Sequence, residues 1–186
     1  MEMMVCGGMG AFVYDIYLFS LLSELVLTCS NPSPLLYSLP DSSFSASTVM
    51  HDQPHIRGPQ MSRLYSQQGS AADAWVGYST PDEWIQADLL TSHLVQAVEM
   101  RPRVARAHWI TLFKLALSLD GDHFDVLRIQ NGDERVFKGP TEMADIATVT
   151  FTTTEARYIR VLPLAWVSVV AIKWEVFACL EGMTHH

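Results

Sequence analysis

Charge is scarce in this sequence. Only 17% of its 186 residues are Asp, Glu, Lys or Arg, against about 25% in an average soluble protein. Twenty acids outnumber 12 bases, and the net charge of −8 excludes a sequence-independent nucleic-acid binder, which needs a dense basic surface to release counterions from phosphate. Anionic membranes are disfavoured less firmly. All 12 basic residues lie between Cys29 and Cys179 together with sixteen acids, so that stretch carries −4 and leaves room for a local basic loop. Catalytic signatures are missing as well: there is no GxSxG elbow, P-loop, GxGxxG, HExxH or cysteine–histidine pattern. Without a nucleophile and base at recognisable spacing, the expectation is a protein that is not an enzyme and carries no cofactor.

Cysteine is sparse: Cys6, Cys29 and Cys179. The last two bracket 149 intervening residues; neither has a CxxC partner, which argues against a metal site. In an oxidising compartment the pair would tie the ends of the organised chain together, and two buried free thiols are the alternative. Residues 3–28 lack Lys and Arg and are mostly apolar, with Leu21, Leu22, Leu25, Val26 and Leu27 close together. This segment reads as a secretory signal without its basic n-region, as an anchor, or as non-native sequence. Asp15 within it would cost a membrane span about 2.5–3.5 kcal/mol.

What is present is strand chemistry, with 10% aromatic residues and many Ser and Thr. Ile85, Ala87 and Leu89 alternate on one face of a strand that begins near Trp84. Trp109–Ser118 is the longest strand candidate, its odd positions bulky, its even positions Ile110, Leu112 and Ala116 also apolar and expected beneath another sheet or as a partner-binding patch. Asp120–Gly121 signals a hairpin, with Phe124–Gln130 as the return strand ending at Asn131–Gly132. Val149–Thr153, Tyr158–Leu162 and Val169–Phe177 complete the set; in the last, Val170, Ile172, Trp174 and Val176 face the core while Lys173 and Glu175 face away. Many short strands without βαβ alternation or a convincing amphipathic helix point to an all-β sandwich or barrel.

The strand sentences DSSFSAS (41–47), GPQMSRL (58–64), Ala74-Trp75, EWIQADL (83–89), HWITLFKL (108–115), SLDG (118–121), ARYIRVLPLAW (156–166) and AIKWEVFAC (171–179) resemble, in order and spacing, a discoidin domain, the coagulation factor V/VIII C-domain type. The resemblance covers 29–179, leaving an N-terminal segment 1–28 and a tail 180–186. It implies a distorted jelly-roll β-barrel or sandwich of the galactose-binding-like kind, a Cys29–Cys179 bridge, and ligands held by loops at one end. It also implies a secreted protein or the extracellular face of a membrane protein, whose partners are glycans, anionic phospholipid head groups, or a cell-surface or matrix protein. There are departures. Leu90 stands where the family usually has Gly, so the tight turn needing positive φ is expected to be rebuilt. Val167-Ser168-Val169 replaces an Asn/His-rich stretch.

The resemblance places the ligand loops at three stretches. The first, 50–57, offers Met50, His51, His55 and Arg57. His51 and His55 have i, i+4 spacing, but Pro54 is expected to break a helix and no third ligand is evident, so no metal is expected. Met50 and Ile56 beside Arg57 could enter an acyl boundary or line a sugar pocket. In the second loop Tyr78 could stack on a sugar face or lie on the barrel rim. The third concentrates Arg101, Arg103 and Arg106 before His108, where Arg103 and Arg106 could grip phosphate, sulfate or carboxylate, or pair with Glu99 or Asp82. Tyr78 and Arg103 are expected as loop-tip side chains and Trp84 as part of the scaffold. The acid-rich 120–125 stretch reads as a turn rather than a calcium loop. Asp88 is expected to pair with Arg157 or Arg160 inside the barrel.

Overall fold

The computed structural model describes residues 28–65, 74–103 and 106–180. The expectations for Cys6, for all but the last residue of the 1–28 segment, and for all but the first residue of the tail lie outside the described residues. Within them the strands are β1 (Ser33–Pro34), β2 (Phe44–Ala46), β3 (Trp75–Val76), β4 (Ile85–Arg101), β5 (Trp109–Ser118), β6 (Asp125–Val126), β7 (Phe137–Lys138), β8 (Ala147–Val167) and β9 (Ala171–Leu180). They pair antiparallel in the order β1-β9-β4-β8-β5-β6, with β2 added to β4, β3 to β9 and β7 to β5. The architecture is the all-β jelly-roll sandwich.

The period-2 pattern set the faces as it should: Ile85, Ala87, Leu89, Val170, Ile172, Trp174 and Val176 are all buried. β5 has the expected bounds but is not the longest strand. The 21-residue β8 joins two expected strands, and the 17-residue β4 runs on far beyond Leu89. β4 can be so long because it turns a corner. Residues 85–87 pair with β2, the register breaks between Asp88 and His93, and residues 93–101 then pair with β9. Leu90 sits in that break at φ 70°, its N–H donated to Asp88 Oδ1 at 2.8 Å. The turn has therefore been kept in the left-handed conformation, not rebuilt, despite the Cβ.

Four further expectations are corrected. Glu175 does not face solvent but is fully buried, and its carboxylate accepts backbone N–H groups from Leu35, Leu36, Tyr37 and Val176. The chain after β1 folds over the outer face of β9 in a short 3-10 turn, and the N–H of its buried Leu36, shut off from water, needs an acceptor there. Burial pushes the carboxyl upward against the pull of those donors. Trp84 is only half-buried, with the Arg160 guanidinium 4.3 Å from its ring centroid, while the core indoles are Trp75 and Trp174. Their Nε1 groups donate to Thr48 O and Ser62 Oγ. Asp88 pairs with Arg157 through two 2.9 Å contacts, but their side chains are 23% and 40% exposed, so the pair lies at the surface; Arg160 binds Gln86 instead. The return strand shrinks to β6, followed by an isolated Arg128–Glu134 bridge.

Even positions of β5 divide: Ile110 and Ala116 are covered, whereas Leu112 is 37% exposed. Asp120 anchors its turn by accepting the N–H groups of Asp122 and His123 and the Ser118 hydroxyl, which holds its carboxyl well below the usual range. Arg63 ties three elements at once: its guanidinium donates to Leu36 O, Leu39 O and Gln60 O and lies 4.4 Å from the Phe44 centroid. Cys29 and Cys179 are bonded, Cα atoms 5.6 Å apart.

Candidate functional site

Strand register gathers the loops. Ala46 of β2 faces Ile85, so the loop leaving β2 and the loop entering β4 emerge together. Val76 faces Ala171, which adds the 167–170 turn to that end. Arg101 opposite Lys173 and Trp109 opposite Val167 bring in both ends of the third loop. The disulfide lies near the far end of β9, where Cys179 faces Leu94, so the bonded termini are away from these loops.

Hydrogen bonds knit the first two loops. Tyr78 N–H donates to Thr48 Oγ1 at 3.1 Å, and Tyr78 Oη accepts the His51 N–H at 3.1 Å. The His51 and Tyr78 rings meet edge-on, centroids 6.4 Å apart. Beneath them Glu83, 2% exposed, accepts the hydroxyls of Ser47, Thr48 and Thr80. Gly77 makes room for it: a Cβ there would lie 2.9 Å from Glu83 Oε2. Ser79 Oγ accepts the Val170 N–H at 2.8 Å and links the late turn. Six non-glycine residues with positive φ, His51, Asp52, Ser79, Asp82, Ala107 and Ser168, belong to these loops. Each holds backbone strain that the interlocked loops must offset.

Between the first and second loops lies an open hollow of about 550 Å³ lined by Ala46, Ser47, Thr48, Val49, Asp52, Pro54 and Tyr78. Tyr78, 44% exposed, supplies an aromatic wall and Asp52 an acceptor. Pro54 does not break a helix; it opens the single-turn helix α1 (Pro54–Arg57) at its first position. His51 precedes that helix at φ 58° and His55 is exposed on it, so the two do not share a helical face. Met50 is half-buried.

The third loop is closed by a two-way backbone bridge between Arg103 and His108. Its Val104 and Ala105 lie outside the described residues. Arg103 is only 7% exposed, so it is no loop tip; pairing with His108 folds it inward. Arg106 is exposed, and Arg57 and His108 are half-buried. The Arg103–His108 bridge and the Arg106 N–H donated to Arg103 O hold the third-loop residues together, and burial, then the charges of Arg103, Arg106 and Arg57 in turn, push the His108 imidazole pKa down. Glu99, one expected partner for the loop, accepts the Tyr65 and Thr148 hydroxyls.

Sequence reasoning passed over Asp52 and Thr48, and used Glu83 only as a strand marker. The Thr80-x-x-Glu83 spacing ahead of an apolar run is the signal that was available for Glu83.

Comparison with known proteins adds the lineage. The F5/8 type C domain model matches residues 43–176. Lactadherin of Rattus norvegicus is 30% identical over 149 residues, covering 76% of this chain and 34% of that protein. The chain thus spans about a third of the lactadherins it matches. Wild-type discoidin II from Dictyostelium discoideum superposes with a TM-score of 0.63 at 17% identity, over 82% of this chain and 60% of that one. CpGH89CBM32-5 from Clostridium perfringens, solved in complex with GalNAc-beta-1,3-galactose, gives 0.62 at 18% identity, over 78% and 100%. Similarity over most of the sequence, the shared sandwich and the end-to-end disulfide of an oxidising compartment agree, and the chain belongs to the F5/8 type C domain family.

Proposed function

We propose that this domain is an extracellular, non-catalytic recognition module that binds glycans through the loops at one end of its sandwich. The observation that carries it is the hollow at that end, with a half-exposed Tyr78 wall, the Asp52 carboxylate and a backbone fixed from below by Glu83. An aromatic face receives the apolar side of a sugar ring while a carboxylate accepts its hydroxyls. Galactose-containing ligands are the first to try, since CpGH89CBM32-5 was solved with one. Tyr78, Met50, His51, His55, Arg57, Arg103, Arg106 and His108 make up the loop set in this reading, with Arg103 holding the third loop in shape from its buried position.

A second reading, peripheral binding to anionic phospholipid, is favoured by Ile56, 39% exposed on α1 immediately before Arg57. A glycan array beside a liposome pull-down over a salt series tests both. Stacking of a neutral sugar hardly responds to salt, whereas arginine-led lipid binding weakens steeply with it. Retention on liposomes with a blank array overturns the glycan reading.

A further inference from the structure

Besides the Asp52 carboxylate in the hollow and Glu83 beneath it, the loop end holds a group of basic side chains. In a chain of net charge −8, Arg57, Arg103, Arg106 and His108 gather at one place, and among the described residues every charge acting on the His108 imidazole is an arginine. The ion pairs among the described residues are Arg63–Asp41, Lys114–Glu134, His123–Asp120 and Arg157–Asp88, so neither Arg57 nor Arg106 is neutralised by one. Arg57 Nε and Nη1 and His108 Nδ1 are buried without a hydrogen-bond partner. Native proteins seldom leave such groups unmatched unless an acceptor arrives from elsewhere. Arg57 also ends the helix whose first residue, Pro54, lines the Tyr78 hollow, so its backbone lies about one helical turn from that lining.

From this juxtaposition we infer that the glycan bound at the loop end is acidic, carrying a carboxylate or sulfate that Arg57, Arg106 and His108 receive beside the ring held by Tyr78. The inference rests on the end-loop glycan reading and narrows it. Guanidinium groups suit such planar or tetrahedral anions, and charge-assisted hydrogen bonds are the stronger kind.

Calorimetric titration of the disulfide-bonded domain with a neutral galactose oligosaccharide, its galacturonate counterpart and phosphatidylserine vesicles tests it. The acidic sugar should bind at least about tenfold more tightly than the neutral one at low salt, and the advantage should shrink as salt rises. Arg106→Gln and Arg57→Gln should each cut the acidic-to-neutral ratio by about tenfold, while Lys138→Gln on β7 leaves it unchanged. Melting temperatures check that each variant is folded, and the exposed Arg106 serves if Arg57→Gln is not. Equal affinity for the two sugars overturns the acidic preference and leaves the glycan reading standing. Binding to neither sugar overturns both, and capture by the vesicles alone assigns the arginines to a lipid head group.

Discussion

Leu90 bears a local cost that one substitution can reveal. A non-glycine residue in the left-handed region is disfavoured by about 1–2 kcal/mol, and Leu90 at φ 70° has a side chain that is 49% exposed and makes little packing in return. Leu90→Gly should therefore raise stability by about 1 kcal/mol in denaturant unfolding, and a loss of stability would show that the Leu side chain matters more than the turn. Two residues earlier, the Arg157 guanidinium beside Asp88 holds its carboxyl below the ordinary value. Stability from this pair is fully present above the unfolded carboxylate value of about 3.9 and is lost as pH falls from there through the folded value. Asp88→Asn should lower the melting temperature slightly at neutral pH, and its difference from the parent should close in acid. A difference that persists in acid would mean that the carboxylate charge is not what stabilises the corner. At this scale the sequence is least legible: Arg103 is expected at a loop tip and Glu175 on an outward face, and both are buried. Exposure depends on what comes to cover a residue, and Glu175 is covered by a turn some 140 residues away in the chain.

Elements were far more legible than residues. The buried face of β9 and the first half of β4 followed from alternation, because in a strand a side chain's face depends only on its parity. The length of β4 and β8 did not, since register breaks shift parity and interrupt the pattern that would reveal continuity. For the site, the sequence indicated which loops matter but not which residues face one another. The His51–Tyr78 contact and the gathering of Arg57, Arg106 and His108 exist only once β2, β4 and β9 fix the loop ends. Trp174 on β9 tests the core of that scaffold, being fully buried with its indole N–H satisfied by Ser62. Trp174→Ala should cost about 3–5 kcal/mol and weaken binding only through unfolding. A folded Trp174→Ala domain with lost affinity would instead make the core part of the recognition surface.

For the molecule as a whole, the two ends have separate duties: bonded termini at one, interlocked loops at the other. The Cys29–Cys179 bond acts mainly on the denatured chain, so replacing both cysteines with Ser should cost up to about 5 kcal/mol while glycan affinity of the folded fraction is unchanged. Affinity falling in step with the lost bond would couple ends that the structure keeps apart. The most direct test of the central claim, that recognition lives in the loop-end hollow, is the calorimetric affinity of Tyr78→Ala for the strongest glycan on the array. Tyr78→Phe serves beside it, keeping the ring while losing the acceptor for the His51 N–H. The account predicts at least about a tenfold loss for Tyr78→Ala at nearly unchanged melting temperature, and most of the affinity retained by Tyr78→Phe. Full affinity in a folded Tyr78→Ala domain would contradict it.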